Sequence, residues 1–287
     1  MKSNVQQTDK GILHAEAGRQ KFSLMRYQPS EDLALYIEQY WVVRWDLRGQ
    51  APFRQVILSY PNVNIAFERE SSGLFAGVYG VPKTTYTRLL QDEGIVFGVK
   101  FHPAGFYPFW NKPVSLLTGQ TLSIHDALGL EVTDMTKTML QLEHGEEMVP
   151  LVEQFLRNLL PEPDEQVARI NRMVQSAINN REILQVEDIV QEFSINKRTL
   201  QRLFNRYVGV SPKWVIGRYR LQEAAELIEK GGLPNWSKLS QDLGYYDQAH
   251  FIKTFKAMIG KSPEEYVKSI ESSNANRNNN EPRSQPK

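Results

Sequence analysis

The spacing of hydrophobic and polar positions changes along the chain near residue 161. Before that point, short apolar runs bounded by glycine and proline predict strands over Val56–Tyr60, Val63–Phe67, Gly73–Tyr79 and Ile95–Phe101. Beyond it, apolar residues recur every three or four positions, and strand signals are absent as far as about residue 270. The pattern therefore predicts a mixed α/β domain followed by an all-α domain.

The N-terminal strands are short and closely spaced, which predicts a small β-barrel or sandwich with added helices. Leu33–Trp41 carries apolar residues on one side and is predicted to be a helix. A second helix is predicted over Leu151–Leu160, with Pro150 in its first turn. Because Pro161–Glu165 contains two prolines, we expect domains at 1–160 and 166–270, a linker at 161–165 and a disordered polar tail at 271–287.

The all-α half contains one motif twice, about fifty residues apart. The first copy ends at Pro212 and the second at Pro263. Each copy has a short apolar segment, a turn, a longer basic amphipathic segment and a final Gly-x-Ser-Pro. This order is typical of a helix-turn-helix, so the duplication predicts two DNA-reading units, joined by a linker helix.

In the first unit, Val186–Phe193 is the predicted supporting helix and Lys197–Tyr207 the predicted reading helix. The core side of the reading helix holds Leu200, Leu203, Phe204 and Tyr207. Its opposite face holds Arg198, Gln201, Arg202 and Asn205. Arginine pairs with guanine, and glutamine or asparagine with adenine, so this face has base-reading chemistry. An ordinary solvated face has a similar composition, but the duplication favours the reading role.

In the second unit, Ser237–Leu243 is the predicted supporting helix, and Asp247 caps the predicted reading helix that ends at Ile259. The predicted core consists of Phe251, Phe255, Met258 and Ile259. The predicted exposed face consists of Gln248, Ala249, Ile252, Lys253 and Lys256, with His250 at its edge. Gln248 and Lys253 suit base contacts, Ala249 and Ile252 suit thymine methyl groups, and Lys256 suits phosphate.

The linker helix is predicted to begin at Pro212 and to stop at Gly231-Gly232. A helix of this length spans roughly 28 Å. Adjacent major-groove faces on one side of DNA lie roughly 34 Å apart. One rigid helix could therefore hold two readers close to one helical turn apart.

Residues 166–270 resemble the DNA-binding domain of AraC/XylS-type bacterial transcription regulators. The resemblance is carried mainly by Leu-Gly-Tyr-Tyr-Asp-Gln-Ala-His-Phe-Ile-Lys-Thr-Phe-Lys at residues 243–256 and by Gly-Lys-Ser-Pro-Glu-Glu-Tyr at 260–266. It implies base contacts from Arg198, Gln201 and Arg202 in the first unit and from Gln248, Ala249 and Lys253 in the second. Val190 and Ser240 depart from it, because the family usually has alanine at these positions of the supporting helices.

The resemblance also implies partners. Double-stranded DNA is the expected target, and RNA polymerase is an expected contact. Family members usually carry an N-terminal domain for effector binding, dimerisation or both, and residues 1–160 look like an uncharacterised domain of this kind. We therefore expect modulation by a small-molecule effector or a homodimer. The alternative is an N-terminal domain that serves only protein–protein contact and has no ligand.

Charge is divided unevenly between the two halves. Residues 1–164 hold 15 basic and 19 acidic residues, a net charge of −4, whereas residues 165–287 hold 19 basic and 14 acidic residues, a net charge of +5. A basic surface attracts a polyanion. The charge therefore places the DNA-binding function in the half that contains the repeat.

Several functional classes are excluded by the sequence. The absence of cysteine excludes disulfides, thiolate metal sites and the DNA-repair methyltransferases that share this reader domain. The histidines His14, His102, His125 and His144 form no metal-binding pair, and catalytic fingerprints are absent. No apolar run reaches eighteen residues, and the N-terminus lacks the apolar core of a signal peptide. We expect a cytoplasmic protein that is not an enzyme, needs no metal or cofactor and contacts no membrane.

The N-terminal domain is rich in aromatic residues, which could wall an apolar effector pocket. The candidate effector-binding residues are Trp41, Phe101, His102, Tyr107 and Trp110. Core packing is the alternative for the aromatic members, and a structural role is the alternative for His102.

Overall fold

A computed structural model of the protein describes Gly18 and residues 20–57, 60–229 and 235–278, with side chains described as far as residue 270. The chain divides into two compact units, of which the first ends at Gly217 and the second begins at Arg218. The predicted domain boundary at 161–165 thus lies inside the first unit, and the division into domains at that point stays a prediction.

The first unit begins with a strand-rich part. Six strands of the described chain form one antiparallel sheet in the order β1-β2-β7-β4-β5-β8, and β3 pairs with β6 in a separate ribbon. The bounds are β1 Ser23–Tyr27, β2 Ile37–Asp46, β3 Phe53–Ile57, β4 Asn64–Glu70, β5 Gly73–Tyr79, β6 Tyr86–Leu90, β7 Glu93–Phe101 and β8 Thr121–Ser123.

The predicted helix over Leu33–Trp41 is wrong. Only its first turn is helical, since the N–H groups of Tyr36 and Ile37 both donate to the Leu33 carbonyl at 2.9 Å. From Ile37 onward the chain is strand β2, paired with β1 on one side and β7 on the other. A central strand that is covered on both faces carries apolar residues at odd and even positions alike, and this hides its period of two.

The ribbon β3–β6 packs on one face of the large sheet. Leu90 of β6 joins Trp45 and Val96 in a hydrophobic cluster, and Phe53 of β3 packs against it. The sheet accepts the indole of Trp41 because β7 has Gly98 opposite it, where a Cβ would lie 1.9 Å from the ring. Neither sheet closes into a barrel among the described strands. Of the two predicted folds, the sandwich fits this arrangement and the barrel does not.

Helices cover the other part of the first unit. They are α1 Tyr107–Trp110, a 3-10 helix Val114–Leu117, α2 Ile124–Leu128, α3 Thr133–Met139, α4 Gly145–Arg157, α5 Glu165–Asn179, α6 Val186–Glu192, α7 Lys197–Leu203 and a π-helical turn Phe204–Val208. Helix α4 begins six residues earlier than predicted and runs through Pro150. The proline therefore lies in the interior of the helix and not in its first turn.

Helix α4 is attached to the sheet through the buried carboxylate of Glu153. This group accepts hydrogen bonds from the Ser30 backbone N–H at 2.8 Å, from the Tyr40 hydroxyl at 3.4 Å and from Arg157 at 3.0 Å. A buried charge is stable only when its hydrogen bonds are satisfied. Glu153 thereby fixes where α4 lies on the strands.

Helix α8, Pro212–Glu229, begins at the predicted residue, and the predicted stop at Gly231-Gly232 lies outside the described residues. The second unit continues with α9 Trp236–Asp242, α10 Gln248–Ile259 and α11 Pro263–Asn278. Helix α11 extends past residue 270 into the segment predicted to be a disordered tail. The rest of that tail, from residue 279, lies outside the described residues.

Candidate nucleic-acid interface

Helices α6 and α7 form the first helix-turn-helix. Ser194 turns the chain with a positive φ of 47°, and the Asn196 side chain caps α7 by accepting from the Arg198 N–H at 2.8 Å. Leu200 and Phe204 are fully buried beneath the helix. Their spacing of four residues fixes which side of α7 faces outward.

The outward side of α7 carries Arg198, Gln201 and Arg202, and the π-helical turn that follows it carries Asn205. All four residues predicted to read bases are exposed. Within the described part of the chain, the side chains of Arg198, Gln201 and Arg202 contact no hydrogen-bonding partner. Asn205 differs, since its Oδ1 lies 3.2 Å from the hydroxyl of Ser115. Three of the four side chains on this face thus have no hydrogen-bonding partner within the described chain, and the fourth, Asn205, has one.

Helix α7 continues directly into the π-helical turn and ends at Gly209, which has a φ of 89°. This end of the helix contacts α1 and the 3-10 helix, which lie between strands β7 and β8 in sequence. Arg206 Nε donates to the Tyr107 hydroxyl at 2.5 Å, and the rings of Tyr107 and Tyr207 lie 4.2 Å apart between their centroids. We call this contact the junction: Tyr107, Val114, Ser115 and Thr118 on one side, and Asn205, Arg206, Tyr207 and Gly209 on the other.

The junction was not predicted from sequence. Its two sides lie about a hundred positions apart, and Tyr107 and Arg206 belong to no shared motif. The Thr118 hydroxyl also donates to the Gly209 carbonyl at 2.7 Å. Gly209 was the one sequence signal at the junction. A glycine at a helix end indicates a left-handed backbone conformation, but it does not indicate which residues pack against it.

Helices α9 and α10 form the second helix-turn-helix. Asp247 caps α10 as predicted, because its carboxylate accepts from the His250 N–H at 2.7 Å. The predicted core residues Phe251, Phe255, Met258 and Ile259 are buried. Ser240 in the supporting helix is also buried, and its hydroxyl donates to the Ser237 carbonyl at 2.8 Å. The hydroxyl that replaces the family's usual alanine is therefore satisfied locally.

The outward side of α10 is less polar than that of α7. Gln248, Ala249, Lys253 and Lys256 are exposed, whereas Ile252 is half-buried and only partly available. Lys256 lies 3.7 Å from Glu265, a distance typical of a weak exposed ion pair. The side chains of Gln248 and Lys253 contact no partner within the described residues. These two groups remain the hydrogen-bonding candidates on this helix.

Of the residues predicted to bind an effector, Trp41 lies apart from the others. Trp41 faces the ribbon side of the sheet, whereas Phe101 lies on the opposite face and packs against Phe106 at 5.1 Å between ring centroids. Trp110 stacks on Phe106, and Tyr107 belongs to the junction. Trp41 is therefore on the other side of the sheet from Phe101, and an effector site at these residues stays a prediction.

His102 is half-buried at the end of β7. Burial lowers the pKa of its imidazole, while nearby Glu38 acts in the opposite direction. Its backbone N–H donates to the Tyr36 carbonyl at 2.8 Å. These contacts fit a structural histidine, and His14 lies outside the described residues.

A charged cluster on the ribbon side was also missed. The buried carboxylate of Glu68 accepts from Tyr79 and from Arg88, and Arg88 also pairs with Glu70. Glu68 and Glu70 alternate along β4 and so point to the same face. The spacing of two residues between Glu68 and Glu70 is the sequence signal from which their shared face could have been predicted.

None of the described helices combines the length and apolar character needed to cross a bilayer. Among the same residues, no group of three histidine or acidic side chains is placed to hold a metal ion.

Two helix-turn-helix units with outward polar faces form an arrangement that is found in DNA-binding proteins. Comparisons with known proteins agree: a helix-turn-helix domain family matches residues 189–269, and a domain of unknown function, DUF6597, matches residues 25–123. The chain belongs to the AraC/XylS family of transcription regulators.

Two relatives and one solved structure illustrate the likeness. The transcriptional activator AarP of Providencia stuartii is 31% identical over 100 residues, which are 35% of this chain and 72% of AarP. The Msm operon regulatory protein of Streptococcus mutans is 24% identical over 159 residues, 55% of this chain and 57% of that protein. The solved structure is that of an AraC-type regulator from Chromobacterium violaceum, which is 23% identical to this chain and has a TM-score of 0.31. The match covers 36% of this chain and 96% of the chain in that structure. The chain thus spans little more than half the length of the Msm operon regulatory protein.

Proposed function

We propose that the protein is a sequence-specific transcription regulator in which α7 and α10 each enter a major groove of double-stranded DNA. The observation that carries the proposal is the outward face of α7, where two arginines and a glutamine are exposed without partners in the described chain. The hydrogen-bonding groups of arginine and glutamine match the edges of guanine and adenine.

Each side chain has an assigned role in this proposal. Arg198 and Arg202 contact guanine, and Gln201 and Asn205 contact adenine. On α10, Gln248 and Lys253 contact base edges and Ala249 contacts a thymine methyl group, with a smaller contribution from the half-buried Ile252. Lys256 contacts phosphate, since its weak pair with Glu265 is easily exchanged.

We further propose that the strand-rich part modulates DNA binding through the junction. Support comes from Asn205, which is both a proposed base reader and the acceptor of the Ser115 hydroxyl. A change at the 3-10 helix would therefore act directly on the reading face of α7. The separation of Trp41 from the other candidates and the burial of Phe101, Tyr107 and Trp110 favour a signal from a protein contact, such as a homodimer, over a ligand at those residues.

The proposed setting is the cytoplasm, where the regulator would act on promoters together with RNA polymerase. A small-molecule effector stays the second candidate for the input. Thermal-shift screening of the full chain against metabolites separates the two, because a ligand that binds the folded state raises the melting temperature.

The proposed DNA-binding function is tested by measuring the affinity of the full chain for DNA at several salt concentrations. Log affinity should fall linearly with log salt, because basic side chains displace counterions from phosphates. Lys256→Ala should make this slope shallower by about one unit, whereas a base-reading variant should change the preferred sequence. If the full chain has no measurable affinity for any DNA duplex, the proposal is wrong.

A further inference from the structure

Two adjacent tyrosines precede the second reading helix and behave differently. Tyr245 packs into the unit, with its ring 5.4 Å from the rings of both Phe251 and His250. Tyr246 contacts almost nothing, because 92% of its surface is exposed, the largest exposed fraction among the large apolar and aromatic residues described. The turn thus uses one tyrosine for packing and leaves the other in solvent.

Tyr246 does not make the packing contact that is usual for a residue at its position. A hydrophobic residue directly before an N-cap usually packs against the fourth residue of the helix and fixes how the chain enters it. Here the N-cap is Asp247 and the fourth residue is Phe251, but the ring on Phe251 is that of Tyr245. Tyr245 thus packs where Tyr246 would be expected to pack, and a contribution to stability does not explain the exposed phenol of Tyr246.

The position of Tyr246 does suggest a role. It stands beside Gln248 and Ala249, at the end of α10 where unpaired backbone N–H groups point outward. In helix-turn-helix complexes the start of the reading helix approaches the bases, and side chains flanking it meet the sugar–phosphate backbone. A phenol hydroxyl is a hydrogen-bond donor with a reach suited to a phosphate oxygen.

We infer that Tyr246 is a DNA-contacting residue whose hydroxyl donates a hydrogen bond to a backbone phosphate beside the site read by α10. The inference rests on the proposed function and extends it to a residue outside the basic and amide readers. The contact positions α10 in the groove and carries no sequence preference. Because the phenol is neutral, it adds affinity without adding to the salt dependence.

The test uses the full chain with Tyr246→Phe, Tyr246→Ala and Tyr245→Phe. Each is titrated against the preferred duplex and a panel of single-base variants at several salt concentrations. Tyr246→Phe should bind all duplexes about five- to ten-fold more weakly, with an unchanged salt slope and an unchanged melting temperature. Tyr246→Ala should lose at least as much.

Tyr245→Phe is the matched control. It makes the same chemical change one residue earlier, where the hydroxyl is buried without a partner among the described atoms. Its affinity for DNA should equal that of the wild type.

The outcomes are separable from those for the proposed function. If the wild type binds DNA and Tyr246→Phe binds equally well, the inference is wrong even when Tyr246→Ala is weakened, because the hydroxyl then does nothing. A loss confined to one base pair also overturns it, since the contact would be to a base. If the wild type binds no duplex, the proposed function fails and the inference fails with it.

Discussion

The hydroxyl of Tyr107 lies 2.5 Å from Nε of Arg206, and the Arg206 guanidinium also lies 4.8 Å from the centre of the Tyr107 ring. Tyr107 begins helix α1 between strands β7 and β8 of the sheet, and Arg206 lies one residue after Asn205, a proposed base reader. The two side chains therefore tie the sheet-bearing part of the chain to the helix that is proposed to enter DNA. Variants at this junction should alter stability and DNA binding together.

Gly209→Ala should destabilise the protein by about 2–3 kcal/mol. Gly209 has a φ of 89°, and an added Cβ would lie 2.9 Å from the Thr118 hydroxyl and 3.0 Å from Val114. The left-handed conformation alone costs an alanine about 1–2 kcal/mol, and the crowding adds to it. Chemical denaturation measures the loss.

Gly129→Ala is the control for Gly209, because Gly129 has a φ of 71° but nothing within 4 Å of an added Cβ. It should lose only the conformational part and should leave DNA affinity unchanged. Equal losses for the two variants would show that Val114 and Thr118 do not restrain the end of α7.

Ser115→Ala should tighten binding to DNA about two- to five-fold and sharpen the preference for adenine at one position. The Ser115 hydroxyl now occupies Oδ1 of Asn205 at 3.2 Å, and this oxygen is the one that the adenine amino group needs. Removing the hydroxyl frees the acceptor. Binding-site selection on both proteins measures the change, and an identical motif with identical affinity would contradict the proposed coupling.

The sequence predicted the helix-turn-helix units well because their signals are local. The cap at Asp247 and the core positions Phe251 and Phe255 follow from helical spacing within one segment. The junction could not be predicted, because Tyr107 and Arg206 meet only through tertiary packing. The error at Leu33–Trp41 has a similar origin, since burial of both faces of β2 depends on strands far away in sequence.

Glu68→Ala should destabilise the first unit by about 2–3 kcal/mol. Only 8% of the Glu68 side chain is exposed, and its removal leaves Arg88 partly buried with one carboxylate fewer. Glu70→Ala should cost less, because 29% of its side chain is exposed and Glu68 remains in place. Denaturant titration of both variants gives the comparison; an order reversed from this one would contradict the assigned burial.

The stability of the first unit should contain a component that falls as the pH is lowered through about 6.5. Burial lowers the pKa of His102 below its unfolded value, so the folded protein keeps the neutral imidazole and acid favours the unfolded chain. This component is fully present above the unfolded pKa. His102→Gln should flatten the dependence between pH 7 and pH 5 in denaturation experiments. An unchanged slope would show that another group carries it.

Substitutions at Arg202 decide whether the outward face of α7 reads base sequence. Binding-site selection from random duplexes should be run on the full-length wild type, Arg202→Ala and Arg202→Lys, with a melting curve for each. Both variants should lose the preference for guanine at one position, worth about 1–3 kcal/mol, because lysine keeps the charge but not the bidentate fork. Both should melt like the wild type, since Leu200 and Phe204 carry the core. If both folded variants select the wild-type motif, α7 does not read DNA through this face.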